Sequence, residues 1–401
     1  MRIKLATLGV LVMLQATAWA STEKVLWNFG GSADGRVPTG NLIVDASGNF
    51  YGVTLLGGAY DIGTVFELSP DGHGGWTEAV LYSFGSQTGD GIQPTSGLVM
   101  DSKGNLYGTT EFGGANQTGT VFELSPASGG GWTESVIHTF GPSGKGDGQY
   151  PASDLAFDAQ GNMFGTTFAG GASSFGEGTL YELSPSSNGW TETILHSFPS
   201  SRNDGANPKT GVLVGKIQTH LYSSTTSGGA DGTIYRLWFN NGQWVEKRIN
   251  DNSGEQTGGD LVMDRHLNIY GASNNAGANG TGSLWEMVYH PNRMRSFRLL
   301  YSFGADGSGD GTHPQSGVIV GADGTVYGTT GFGGANNQGI VFALTKSENN
   351  QWEEKILYGF TGGNDGGAPV GQLIQDTQGN LYGVGFGGGT HGGGVVFEVT
   401  P

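Results

Sequence analysis

Aspartate recurs in one motif, DGxxP, at Asp34, Asp90, Asp147, Asp204, Asp310 and Asp365, with a proline four residues after each. Ca²⁺ takes roughly six to eight oxygen ligands, so a ring of such carboxylates reads as calcium sites or as a sugar-binding rim. The same residues also read as architecture: Asp caps a turn, Gly permits it and Pro fixes entry into the next strand. Repetition favours the second reading. Tryptophan recurs too, at Trp76, Trp132, Trp190, Trp244 and Trp352, where it either stacks on sugar rings or packs between neighbouring repeats. The glutamate of FELSP stands at Glu67, Glu123, Glu182, Glu286 and Glu398. Glycoside hydrolysis needs one particular carboxyl pair roughly 5 to 10 Å apart, and no pair stands out from so many equivalents.

More chemistry is expected where the repeats diverge. Seven of the sixteen Lys and Arg beyond residue 20 fall between Arg236 and Arg298. Arg265 and His266 lie in one loop and His290 and Arg293 in another that should share its rim, a local basic patch able to hold a carboxylate, an acidic glycan or a partner. Where an earlier repeat reads Val80-Leu-Tyr-Ser-Phe84, the corresponding stretch is Arg248-Ile-Asn-Asp-Asn252. Two aromatics have become Asn250 and Asn252, which should leave a depression lined by Asp251, Glu255, Asn274, Asn275 and Asn279. These seven residues are the candidate ligand site. Drift in a degenerate repeat is the competing explanation of both features. His313 and His391 fall in loops on the linker face, and nothing in their spacing joins them.

Several classes are excluded. The 401 residues contain no cysteine, which removes disulfides, thiol catalysis and cysteine-ligated zinc. No zinc-helix motif, GxSxG elbow or phosphate-binding GxxxxGK[ST] is present, and the eight histidines lack metal spacing. A net charge of −17 makes nucleic acid or anionic lipid an unfavourable partner. Glycine, at 77 residues, lacks the strict period of collagen, and 36% hydrophobic residues are enough to build packed structure.

The elements that position these residues come from a unit of about 55 residues repeated along the chain. Tyr51, Tyr107, Phe164, Tyr222, Tyr270, Tyr327 and Tyr382 mark the same place in seven units, at spacings of 56, 57, 58, 48, 57 and 55. The alternation in Phe66/Leu68, Phe122/Leu124 and their equivalents is that of a strand, and each unit supplies four strands. The turns Asp45–Gly48, Asp101–Gly104, Asp158–Gly161 and Asp376–Gly379 close the first hairpin. Radial packing of four-stranded units is the β-propeller. The last unit stops after its third strand at Pro401, while Val25–Phe29 matches only a fourth strand. The expected fold is therefore all-β: one seven-bladed propeller over residues 21–401, closed three strands plus one. Met1–Ala20, with Arg2 and Lys4 before a short apolar run and Ala18-Trp19-Ala20 at its end, reads as a signal peptide. Its removal takes the net charge to −19. The apolar run is too short to span a membrane.

The string DxxGNLYGTT, a double glycine and GTVFELSP, clearest at Asp101–Pro126 and Asp45–Pro70, resembles the Gloeobacter/Verrucomicrobia (GloVer) tandem repeat over residues 25–401. The resemblance implies an exported or surface-anchored bacterial protein of unassigned activity, often with a C-terminal anchor that this sequence does not show. The blade also looks like the NHL class, which implies a binding propeller. The expected function is binding of carbohydrate or of a cell-surface partner by a secreted, extracellular or periplasmic monomer. The alternatives are a polysaccharide lyase or hydrolase with its site at the junction of blades four and five, and a purely structural surface protein.

Overall fold

The computed structural model describes residues 21–30, 34–142, 146–173, 175–187, 189–199, 204–216, 220–228, 232–249, 258–291, 294–304, 309–349 and 351–401. The candidate leader, Asn250, Asp251, Asn252, Glu255 and Arg293 lie outside them. The fold is a ring of seven antiparallel sheets, a seven-bladed β-propeller. Blade one is Gly35–Val44, Phe50–Gly57, Thr64–Pro70 and Trp76–Ser83, from the axis outward. Blades two to six repeat this order. Blade seven takes three strands from the end of the chain, Gly367–Gln375, Leu381–Gly387 and Val395–Thr400. Its outer strand is Thr22–Asn28, paired antiparallel with Val395–Thr400 so that Val25 faces Phe397. The expected three-plus-one closure is thus present. Among the described residues no helix is long and apolar enough to cross a membrane.

The hairpins form as their sequence dictates. Asp45 Oδ1 accepts from the amides of Ser47 at 2.8 Å and Asn49 at 2.9 Å, and Gly48 takes φ +85°, a conformation open to glycine at little cost. Three further blades repeat the arrangement around Asp101, Asp158 and Asp376.

The core lies between the blades, in seven separate layers. Tyr51, Val53, Val65 and Phe84 of blade one, for example, pack on Leu98, Leu106, Phe122 and Leu124 of blade two. At six junctions a phenylalanine ending one outer strand meets a ring on the third strand of the next blade: Phe29–Phe66, Phe84–Phe122, Phe140–Tyr181, Phe198–Tyr235, Phe303–Phe342 and Phe360–Phe397, with centroids 5.0 to 5.2 Å apart. Five are edge-to-face and one is tilted, geometries worth about 0.5–1.5 kcal/mol each beyond the area buried. Blade five carries Trp285 at this position, fully buried, with its indole N–H donating to Ser273 at 3.0 Å. The recurrent tryptophans pack inward: Trp132 lies on Tyr51 and Trp190 on Tyr107, each on the preceding blade.

Each linker aspartate serves its own turn and faces the next blade. Asp90 Oδ2 accepts from the amides of Gly85 at 2.7 Å and Ser86 at 3.0 Å and from the Tyr82 hydroxyl at 2.8 Å. Across the junction stands a glutamate of the neighbouring outer strand. The pairs are Asp34–Glu78, Asp90–Glu134, Asp147–Glu192, Asp204–Glu246, Asp310–Glu354 and, across the ring closure, Asp365–Glu23. Burial, and then the aspartate charge, pushes Glu78 up to about 8 and Glu23, Glu134 and Glu354 up to about 7. At these junctions the glutamate holds a proton that the unfolded chain would release at lower pH.

A carboxyl group with a raised folded-state pKa stabilises fully below its unfolded value and loses that contribution as pH rises through the folded value. In chelator-treated protein the melting temperature is therefore expected to fall between about pH 5 and pH 8.5, and Glu78→Gln to flatten the fall; a melting temperature rising across this window would contradict the paired-proton account. Phe29→Ala, which empties the closing layer, is expected to cost about 3–5 kcal/mol in denaturant unfolding.

Candidate functional site

Three residues after each linker proline, the inner strand reaches the axis. In blade order this position holds Asn41, Gly97, Asp154, Gly211, Asp260, Gly317 and Gln372, blade five being aligned without its proline. Polar side chains alternate with glycines around the ring because seven side chains do not fit there. A Cβ on Gly97 would stand 2.7 Å from the Asn41 amide nitrogen and 2.9 Å from Asp154 Oδ2. The polar members meet across the axis. Asn41 Nδ2 donates to Asp154 Oδ2 and, at 3.4 Å, to Asp260 Oδ2, while its Oδ1 accepts from the Gln372 amide. The amides of Gly97 and Gly211 donate to Asp154 and Asp260, each at 2.5 Å. Burial, and then the charge of Asp260, pushes Asp154 well above the usual carboxylate range, and burial raises Asp260 as well.

This layer floors a funnel of about 450 Å³ on the linker face. The wall includes Thr39, Thr95, Lys209, Gln315, Glu111, Asn274 and Phe386. Of the expected ligand residues, Asn274 lines the funnel, with its Oδ1 buried and lacking a hydrogen-bond partner among the described residues. Asn279 ties its loop to the end of the outer strand of the same blade, donating to the Phe303 carbonyl at 3.1 Å as Asn116 does to Phe140 at 2.8 Å. Asn275 is exposed beside Asn274. The funnel was missed in the sequence because its floor occupies one varying column among otherwise matching repeats.

A second cavity, of about 400 Å³, lies on the opposite face between blade four, whose strands include Leu221–Gly228, Thr233–Asn240 and Gln243–Arg248, and blade five, which includes Ile269–Ser273, Ser283–Tyr289 and Arg295–Ser302. Lys216, His220, Arg236, Lys247, Arg248 and Arg295 line it together with Tyr222 and Tyr289, and no acid is among the described lining residues. Its origin is visible by comparison with other blades. Tyr51 donates to Asp45 and Glu67, Tyr107 to Asp101 and Glu123, and Tyr270 to Asp264 and Glu286. In blade four the tyrosine remains as Tyr222, but the aspartate position is Gly215 and the glutamate position is Arg236. Both acids are gone and one is replaced by a cation.

Two of the cations, Arg236 and Arg295, are fixed by stacking. The Arg236 guanidinium lies 4.5 Å above Trp238, and its Nε is buried and meets no hydrogen-bond partner among the described residues. Arg295 stands 5.3 Å from the Tyr222 ring and 5.1 Å from that of Tyr289, and donates to the Leu267 carbonyl at 2.5 Å. Burial, then Arg236 and Arg295, holds His220 below the usual imidazole range, so this ring is neutral at pH 7. The expected patch is placed close by but apart. Arg265 and His266 line a neighbouring cleft between blades five and six, with Arg265 Nε donating to His266 Nε2 at 3.2 Å. His290 pairs with Ser296 of its own hairpin at 2.7 Å.

The fold and its repeat define a class of glycine-rich, single-ring propellers built from one recurring blade unit. The match to the Gloeobacter/Verrucomicrobia repeat extends over residues 6–176, 128–309 and 268–401, and the chain belongs to that family. No curated protein sequence matches it. Among solved structures the chain is similar to a gluconolactonase from Xanthomonas campestris, at 14% identity over 94% of this chain and 89% of that one, with a TM-score of 0.45. It is also similar to a putative oxidoreductase (glucose dehydrogenase) from Thermus thermophilus, at 16% identity over 95% of this chain and 100% of that one, with a TM-score of 0.45.

Gly97→Ala is expected to lower stability by about 1–3 kcal/mol through overpacking of the axial layer, read from the denaturant midpoint.

Proposed function

We propose that the protein is an exported binding propeller for acidic carbohydrate, with the basic cleft between blades four and five receiving a uronate carboxylate. The observation that carries this reading is the exchange of the Asp–Glu pair around the blade tyrosine for Gly215 and Arg236. That exchange concentrates cations in a chain of net charge −17. Guanidinium groups offer paired donors to a carboxylate, and Tyr222 and Tyr289 offer ring faces to a sugar. The aromatic stacking orients both arginines before a ligand arrives, which lowers the entropy lost on binding. Export rests on the leader-like Met1–Ala20.

A lyase is the second reading, favoured by one feature: His220 is neutral and adjoins Arg236 and Arg295. There the imidazole would take the proton from the carbon beside the uronate carboxylate, whose charge the arginines balance. The electron pair would form the ring double bond as the glycosidic C–O bond breaks, and the departing oxygen would take a proton from water.

Isothermal titration with oligogalacturonate and with a neutral oligosaccharide of equal length tests the first reading. Saturable binding of the acidic ligand alone, weakened by salt, is expected, and Arg236→Met should weaken it by about tenfold or more. Equal affinity for the neutral ligand, or no binding to any acidic glycan, would overturn it. Appearance of unsaturated product, lost in His220→Ala with binding retained, would establish the lyase.

A further inference from the structure

The carboxyl pairs between blades differ in what the preceding outer strand turns toward them. At three junctions it is a hydroxyl: Tyr82 reaches Asp90 at 2.8 Å, Tyr358 reaches Asp365 at 2.9 Å and Tyr301 reaches Asp310 at 3.3 Å. At two it is an imidazole. His196 Nε2 sits 3.0 Å from Asp204 Oδ2, a direct hydrogen bond that closes the gap between blades three and four. His138, between blades two and three, is placed differently. Its Nε2 lies 3.9 Å from Asp147 Oδ2 and 3.7 Å from Glu192 Oε1, beyond hydrogen-bond reach of both. His138 Nε2 and Glu192 Oε1 are both buried and neither meets a hydrogen-bond partner among the described residues.

The ligand atoms of His138, Asp147 and Glu192 all lie within 4.8 Å of one another. A tetrahedral Zn²⁺ with bonds of about 2.0–2.2 Å keeps its donors roughly 3.3–3.6 Å apart, so the two gaps to His138 need to close by a few tenths of an ångström and the gap between the two carboxylates by about 1.5 Å at most. The surroundings hold the ligands in place. Asp147 Oδ1 accepts from the Gly148 amide at 2.6 Å, and the imidazole lies edge-on to Phe140 at 4.7 Å. We propose that His138, Asp147 and Glu192 form a three-ligand site for a divalent transition cation of the Zn²⁺ type, clasping blade two to blade three and leaving a fourth position for water. One imidazole with two carboxylates suits such an ion better than Ca²⁺, which takes an all-oxygen shell. This site is separate from the basic cleft, and either can fail without the other.

The test is titration of the exported chain, dialysed against EDTA and then against metal-free buffer, with Zn²⁺ by calorimetry and with Co²⁺ by visible absorption. One equivalent should bind, and the melting temperature should climb with Zn²⁺ concentration. His138→Tyr installs the residue of three sister junctions, so the fold has a precedent for it, and binding should disappear. Glu192→Gln should weaken binding by tenfold or more, while His196→Tyr should leave it unchanged. Absence of binding at millimolar Zn²⁺, or a His138→Tyr protein that titrates like the parent, would overturn the site.

Discussion

Every blade depends on its neighbours for burial of its two faces, so the structure stands on one constraint: the first and last blades must meet. Pairing of Thr22–Asn28 with Val395–Thr400 meets it. That strand brings Phe29 against Phe66 of blade one and Val25 into the layer shared with blade six. Without it blade seven would lack an outer strand and two of the seven hydrophobic layers would open to water, with a loss proportional to the apolar area exposed. A closed ring also leaves fewer strand edges available for pairing with other chains.

The ring and its closure were legible because they rest on repetition. An aromatic at the same place in seven units, an alternating third strand and an orphan fourth strand at Val25–Phe29 point to the same answer, and local pattern agrees with global fold. The role of the recurrent tryptophans was legible only as a choice, and Trp132 on Tyr51 decides it in favour of packing. The axial floor was not legible, because recognising Asn41, Asp154 and Asp260 as neighbours requires knowing that the third residue after each proline points at the axis. The excess of cations between Arg236 and Arg298 was visible in the chain. Its focus at Arg236 and Arg295 was not, because Lys216 and His220 join from a hairpin outside that window. The glutamates of the outer strands likewise look like solvated strand residues until the linker aspartate of the preceding blade is set against them.

Repetition also supplies internal controls. Blade four keeps the tyrosine of its sisters and loses the acids around it, so the change is chemical while the frame is retained. Two junctions have imidazole in place of a phenol, and one of them is drawn shut by hydrogen bonding while the other is held apart. Such comparisons separate what a propeller needs from what this propeller adds, since the added features are the ones that differ at matched positions.

The row of amides and carboxyls that joins blades one, three, five and seven has a further implication. It acts as a septum. Although the architecture is a torus, the hydrogen bonds of Asn41 to Asp154 and Asp260 lie across its middle. The funnel and the basic cleft therefore open on opposite sides of this bridged layer, so a solute seated in one is separated from the other by the row of Asn41, Asp154 and Asp260.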